Sequence, residues 1–200
     1  DSYEESEVYV YEGEQLVSKD ANGEFRKMRH RTNEFLQRQS GHVQFWPRKN
    51  EAFDSIVRHG NGPDNYWWSV THKNGVTDYY GKLHGVQGVN YNSVLCDPVT
   101  KNIAQWMLTE SVDPFGNWVR YYYQREQHKS VECNFSGNDG TQVYIDQIVY
   151  TGHDNMDGKY SVRFNRRDGR NDIITNGRYG FREVTAATLC NMEVRFEDEI

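Results

Sequence analysis

Tyr66-Trp67-Trp68-Ser69-Val70-Thr71-His72-Lys73-Asn74-Gly75-Val76-Thr77-Asp78-Tyr79-Tyr80-Gly81 is the stretch that decides the fold. From Tyr66 to His72 large apolar residues alternate with smaller or polar ones, the period of a half-buried strand, and the alternation resumes from Val76 to Tyr80. Asn74-Gly75 lies between the two runs, a strong hairpin signal because the central residues of the tightest hairpin turns must tolerate positive φ. Only alternate residues of a strand share a face, so Trp67 and Trp68 cannot both be core. Trp68 and Val70 are assigned to the inward face, with Trp106 and Leu108 on a later strand.

The strand-turn-strand unit recurs outward from this hairpin. Towards the C-terminus, Ile103 to Ser111 leads through Asp113-Pro114-Phe115-Gly116-Asn117 into Trp118 to Tyr123, and Val143 to Tyr150 turns through Asp154 to Lys159 into Tyr160 to Phe164. Asp113 can close an Asx-type turn, Gly116 supplies a left-handed position and Asn117 tolerates one. Towards the N-terminus, Val8 to Tyr11 and Gln15 to Val17 flank Glu12-Gly13-Glu14, and Ala52 to Arg58 reads as a strand closed by the loop from Gly60 to Asn65. Glu24 to Phe45 fits neither period, and a short helix around Thr32 to Arg38 is the one element it suggests. Loops at 85–92, 134–140 and 152–158 lack the Pro/Ser-rich character of an interdomain linker. Residues 1–200 therefore read as a single all-β domain of antiparallel hairpins forming a curved sheet or a β-sandwich.

Composition agrees. Hydrophobic residues make up only 36% of the chain, yet 14 Tyr, 9 Phe and 5 Trp carry much of the burial, and aromatic side chains suit a pleated surface. A formal charge of −6 repels the phosphate backbone that dominates nonspecific nucleic-acid affinity, so nucleic acid is not expected as a partner. Apolar runs fall far short of the ~20 residues of a membrane-spanning helix. The acidic stretch from Asp1 to Glu7 is unlike a signal peptide, and the chain reads as soluble. Cys96, Cys133 and Cys190 form no Cys-x-x-Cys pair and read as buried small hydrophobes, their disulfide state left open.

No constellation in the sequence points to catalysis, cofactor or metal. The seven histidines are dispersed and no His-Glu-x-x-His run occurs. No Gly-x-Ser-x-Gly elbow is present, and Gly85-Val86-Gln87-Gly88 lacks the Gly-Lys-(Ser/Thr) of a phosphate cradle. Asp113 and Glu110 could in principle act as a glycosidase pair, but two acids near a turn are ubiquitous. Glu197-Asp198-Glu199 reads as a solvated tail. The aromatic runs at Tyr66 to Trp68 and Trp118 to Tyr123 raise a different reading, a carbohydrate-binding β-sandwich.

Several motifs together resemble the SpvB-type N-terminal region of bacterial toxin-complex B components and RHS/YD-repeat proteins. Trp68 to Gly75 with Tyr79-Tyr80-Gly81 is similar to the family's Trp-x-Val-x-x-Lys-(Asp/Asn)-Gly strand and turn ending in an aromatic-Gly pair. Trp106-Met107-Leu108, Asp113 to Asn117 and Tyr121-Tyr122-Tyr123 then follow at the family's spacing. Tyr11 to Val17, and Arg170-Asn171-Asp172 with Gly177, extend the likeness over about Val8 to Val194. It departs at Arg166 to Gly169, and Gln37 to Trp46 has no counterpart. Trp68, Gly75, Gly81, Trp106, Asp113, Gly116, Asn117 and Tyr121 are its structural motif. The resemblance implies a non-catalytic shell of antiparallel strands in a large secreted or cell-surface bacterial toxin, enclosing or delivering a C-terminal effector. Its partners would be other segments of the shell or a toxin-complex protein. Because ADP-ribosyltransferase members of the family carry a Glu-x-Glu pair, Glu197-Asp198-Glu199 invites the alternative of a catalytic toxin domain.

Overall fold

The computed structural model describes residues 4–26, 36–49, 54–127 and 140–196. Among them, fifteen strands follow in chain order: β1 (Val10–Tyr11), β2 (Glu14–Ser18), β3 (Val43–Pro47), β4 (Ser55–His59), β5 (Trp67–Thr71), β6 (Thr77–Tyr80), β7 (Val94–Cys96), β8 (Ile103–Trp106), β9 (Leu108–Val112), β10 (Asn117–Gln127), β11 (Thr141–His153), β12 (Tyr160–Arg167), β13 (Ile174–Asn176), β14 (Glu183–Thr185) and β15 (Thr188–Phe196). Thirteen belong to one open sheet, ordered β1-β2-β3-β4-β5-β6-β9-β10-β11-β12-β15, with β14 paired to both β11 and β13. The fold is all-β and almost wholly antiparallel, and the open sheet is the form it takes. One parallel contact, Thr141 opposite Glu183, joins β11 to β14. Bulges at Trp118/Arg120, Tyr122/Tyr123 and Asn165/Arg166 bend the long strands.

The hairpin at the centre of the sequence reading forms as β5 and β6, with Trp68 opposite Tyr80 and Thr71 opposite Thr77. Its turn differs from the expected type. The Gly75 N–H donates to the His72 carbonyl and the His72 N–H to the Val76 carbonyl, leaving a three-residue loop in which Gly75 (φ +84°), and not Asn74, takes positive φ. This is a type I turn followed by a left-handed glycine, a common three-residue hairpin. Asp113 to Asn117 closes in the same way around Gly116 (φ +85°), and Asp20 to Glu24 around Gly23 (φ +82°).

Alternation correctly separates the two tryptophans of β5. Trp68 is buried among Tyr9, Phe45 and Trp106, at ring-centroid distances of 5.0, 5.2 and 5.8 Å. Trp67 lies on the other face, stacked on His59 at 3.7 Å. Leu16, Val43, Ile56, Tyr66 and Val70 complete this core, and a smaller cluster gathers Val94, Cys96 and Ile103.

Ile103 to Ser111 is not one strand. Met107 divides it, its N–H donating to Ser93 and its carbonyl accepting from Gly81, so that β8 pairs with β7 in a separate two-stranded sheet while β9 enters the main one. Trp106 is consequently half-buried and touches both clusters, its indole N–H donating to the Tyr66 carbonyl at 2.5 Å. Leu108 is half-buried as well, less inward than its alternation suggested. Of the suggested helix, Thr32 to Phe35 lie outside the described residues, and Gln37 instead bridges Glu4. Ala52 and Phe53 also lie outside, so the strand of that region is described only as β4. Val43 to Pro47, which the sequence pattern left unplaced, is β3.

Candidate functional site

The eight motif residues fall into two groups and one outlier. Trp68, Trp106 and Gly81 meet in the core. A Cβ on Gly81 (φ +76°) would come within 2.8 Å of Trp106 Cδ1 and 3.1 Å of Val94 Cγ1, so the glycine both makes the turn and admits the indole. Gly75, Asp113, Gly116 and Asn117 meet at one end of the sheet, where hairpin loops lean on each other. A Cβ on Gly75 would stand 2.6 Å from Pro114 Cγ, one on Gly116 would strike the Asp154 carboxylate, and the Asp154 N–H donates to the Gly116 carbonyl. Tyr121 stands apart, half-buried on β10 opposite Ile148.

The acids near this ridge are occupied structurally. The Asp113 carboxylate accepts from the Asn117 side chain at 2.7 Å and from the Phe115 and Asn117 N–H groups at 2.9 Å, bonds that hold its pKa below the usual range. Glu110 is buried and accepts from Arg120 Nε at 2.8 Å and from the His84 N–H at 2.6 Å.

A buried charge cluster escaped the sequence reading. Arg58 alternates with Ile56 on β4 and points into the core, fully buried, beneath the rings of Tyr66 (4.1 Å) and Phe45 (5.3 Å). Its guanidinium donates to Glu5, to Tyr9 Oη at 3.2 Å and to the Gln39 carbonyl at 2.6 Å. Arg26 also donates to Glu5, at 2.8 Å, and Arg38 to Glu7, at 2.7 Å. Burial alone would raise the Glu5 pKa, but Arg58 and Arg26 outweigh it and keep the carboxylate ionised below its ordinary range. A charged residue at an inward strand position was the available signal; its partner, 53 residues away in sequence, left none.

Histidines far apart in sequence do meet. His59 Nδ1 is 2.8 Å from His42 Nδ1, and its Nε2 is 2.8 Å from Ser69 Oγ. Burial first, then the neighbouring His42 and Lys82, push the His59 pKa down to about 4. The trio has the order of nucleophile, base and orienting group. Ser69, however, sits mid-strand, paired to Val57 on β4 and Tyr79 on β6, so its own backbone N–H belongs to the ladder and not to an oxyanion hole. Among the described residues no group of three or more His, Cys, Asp or Glu could hold a metal ion. Cys96 is buried, with Arg125 Nη1 2.8 Å from its sulfur, whereas Cys190 is exposed on β15, contrary to the reading of all three cysteines as buried. Cys133 and Glu197-Asp198-Glu199 lie outside the described residues.

At the other end of the sheet, among the described residues, β15 pairs with β12 alone. Tyr160 opposite Phe196, Val162 opposite Val194 and Phe164 opposite Met192 share one face, which continues through Tyr150 and Ile148 of β11. Tyr160, Met192, Val194 and Phe196 are all exposed.

The sequence and structure comparisons point to SpvB and, in fold, to a Tc toxin. The protein named mono(ADP-ribosyl)transferase SpvB, in Salmonella typhimurium and Salmonella choleraesuis, is 28% identical over 115 residues, 54% of this chain and 18% of that protein. The chain thus matches less than a fifth of the length of these relatives. The N-terminal domain of effector protein SpvB from Salmonella typhimurium strain LT2 superposes with a TM-score of 0.68 at 17% identity, covering 98% of this chain and 83% of that one. The Tc holotoxin pore of Photorhabdus luminescens gives 0.66 at 17% identity, covering 94% of this chain and 10% of that one. The family model "Salmonella virulence plasmid 65kDa B protein" matches residues 1–172, and this chain belongs to that SpvB family.

Proposed function

We propose that the chain is a non-catalytic structural segment of a large secreted, toxin-like protein of the RHS/SpvB type, serving the shell that encloses or delivers a C-terminal effector. The apolar face of β12 and β15, exposed among the described residues, carries this reading. An exposed hydrophobic edge strand invites unwanted pairing unless something covers it, and adjoining segments of the shell or a toxin-complex partner are the natural cover. The fold shared with the SpvB N-terminal domain and with one-tenth of a Tc holotoxin chain supports the same reading. The motif residues act as its framework, Trp68, Gly81 and Trp106 fixing the core and Gly75, Asp113, Gly116 and Asn117 the turn ridge. A glycan platform is disfavoured because Trp67 already stacks on His59 and carries the Lys82 ammonium 4.3 Å from its ring.

The test places Met192→Lys and Val194→Lys, together, in the isolated chain and in the whole gene product. The isolated double variant should fold, stay soluble and bind less of a hydrophobic dye than wild type. In the whole protein the same changes should disrupt assembly and speed proteolysis. Unchanged assembly, or NAD turnover by the isolated chain, would overturn the proposal.

A further inference from the structure

His72 follows the last residue of β5, and its imidazole lies between two carboxylates. Nε2 is 2.9 Å from Asp78 Oδ2 on β6, and Nδ1 is 3.1 Å from Oδ2 of Asp54, the residue before β4. The other oxygen of Asp78 accepts from Ser111 Oγ on β9. Asp54, His72, Asp78 and Ser111, in that order, thus link β4, β5, β6 and β9, beside the ridge where Gly75 leans on Pro114. The surroundings are acidic. Glu12, in the turn between β1 and β2, acts with Asp54 and Asp78 on Tyr11 and with Asp78 on Tyr80, while Lys73 follows His72 in the hairpin loop. Burial above all, with these acids adding to it, raises both phenols, so they stay neutral while the imidazole titrates.

Only one form of the ring suits this place. A neutral imidazole has one N–H and one lone pair, whereas the imidazolium has two donors. Both neighbours are acceptors, so the neutral ring must turn its lone pair on one of them. The His72 backbone is pinned, its N–H donating to the Val76 carbonyl and its own carbonyl accepting from Gly75. Asp78 is pinned as well, opposite Val70 on β5 and Ser111 on β9, but Asp54 stands outside the ladder. We propose that His72 is a proton-operated latch on this end of the sheet: the imidazolium clamps Asp54 to Asp78, and loss of its proton releases Asp54 and the entry to β4 while the hairpin of β5 and β6 persists. The bond to Asp78 first, then that to Asp54 and the charges of both acids, outweigh partial burial and raise the His72 pKa. With the folded pKa above the unfolded one, the clamp contributes fully below the ordinary imidazole value, about 6.5, and is lost as pH rises through the folded value. His59, pushed down to about 4, titrates outside that window. The latch lies away from β15 and stands independently of the shell reading.

Two measurements on the full chain test this. In NMR titrations of the imidazole resonances, the His72 midpoint should lie above that of the same residue in the urea-unfolded chain, and Asp54→Asn and Asp78→Asn should each lower it. Amide hydrogen exchange, corrected for intrinsic rates, should then show protection at the start of β4 falling severalfold between about pH 6 and about pH 9 in wild type but not in His72→Gln, with the hairpin of β5 and β6 still protected. A midpoint at or below the unfolded one, indifference to both Asn variants, or the same loss of protection in wild type and His72→Gln overturns the inference. So does a loss that spreads equally over β4, β5 and β6, which would be general unfolding and no latch. Should His72→Gln not fold, the wild-type midpoint and its exchange profile decide by the same criteria.

Discussion

In β5, Trp68 and Val70 alternate with Trp67 and Ser69 and are 6% and 1% exposed; in β15, Met192, Val194 and Phe196 alternate with Glu193 and Arg195 and are 61%, 72% and 52% exposed. The sequence patterns are of one kind and the outcomes opposite. Alternation fixes which residues share a face, because successive side chains of a strand point to opposite sides. It does not fix what lies over that face. Over β5 lies Tyr9 from the N-terminal segment; over β15, among the described residues, lies nothing comparable. One half of the sheet completes its own core, and the other, among the described residues, leaves an apolar face exposed.

Substitutions can break that contrast, beginning with the largest expected effect. Trp68→Ala removes a ring packed against the aromatic rings of Tyr9, Phe45 and Trp106 and should cost about 3–5 kcal/mol, read from the urea midpoint. A near-wild-type midpoint would mean that β5 is no better packed than β15. Glu5→Gln leaves Arg58 buried without its countercharge and should cost about 3 kcal/mol. The sign of its pH dependence follows from a folded pKa below the unfolded one. The contribution of Glu5 is complete above the ordinary carboxyl range and is lost as pH falls through the lowered folded value, so wild type should lose stability in acid more steeply than Glu5→Gln. Parallel acid titrations of the two proteins would refute the assignment.

Gly116→Val should cost more than about 1 kcal/mol, since the valine would have to adopt a left-handed conformation and would collide with Asp154. The smallest effect is reserved for β15. Val194→Thr in the isolated chain should change stability by no more than about 0.5 kcal/mol, the range of ordinary surface positions. A loss of 2 kcal/mol or more, of the order expected for a buried side chain, would show that the face is covered in the isolated chain and erase the comparison.

What could be read beforehand was what is local. Strand periods and turn residues located β5 with β6, β9 with β10 and β11 with β12, because pleat and hairpin geometry are set within a few residues. The turn type at Asn74-Gly75 was misread since the dipeptide fits two loops that differ in which residues carry positive φ. The division at Met107 was hidden because its cause is the backbone of Ser93 and Gly81, brought there by the fold. Arg58 and Glu5, likewise, are joined across 53 residues, and only the misplaced charge on an inward position hinted at a partner. The exposure of β15 was illegible for a further reason: coverage belongs to whatever the strand meets, and its own residues do not encode it.

The ridge of leaning loops restricts how this fold can vary in length. Gly75 sits against Pro114 and Gly116 against Asp154, so one residue added to any of these loops would displace the next in the row. Along β6 the opposite end gives onto the segment from Gly81 to Asn92, where Gly85 and Gly88 face open space. Insertions acquired by related chains should therefore collect at that end and spare the ridge, giving the sheet one end of constant outline and one free to diversify.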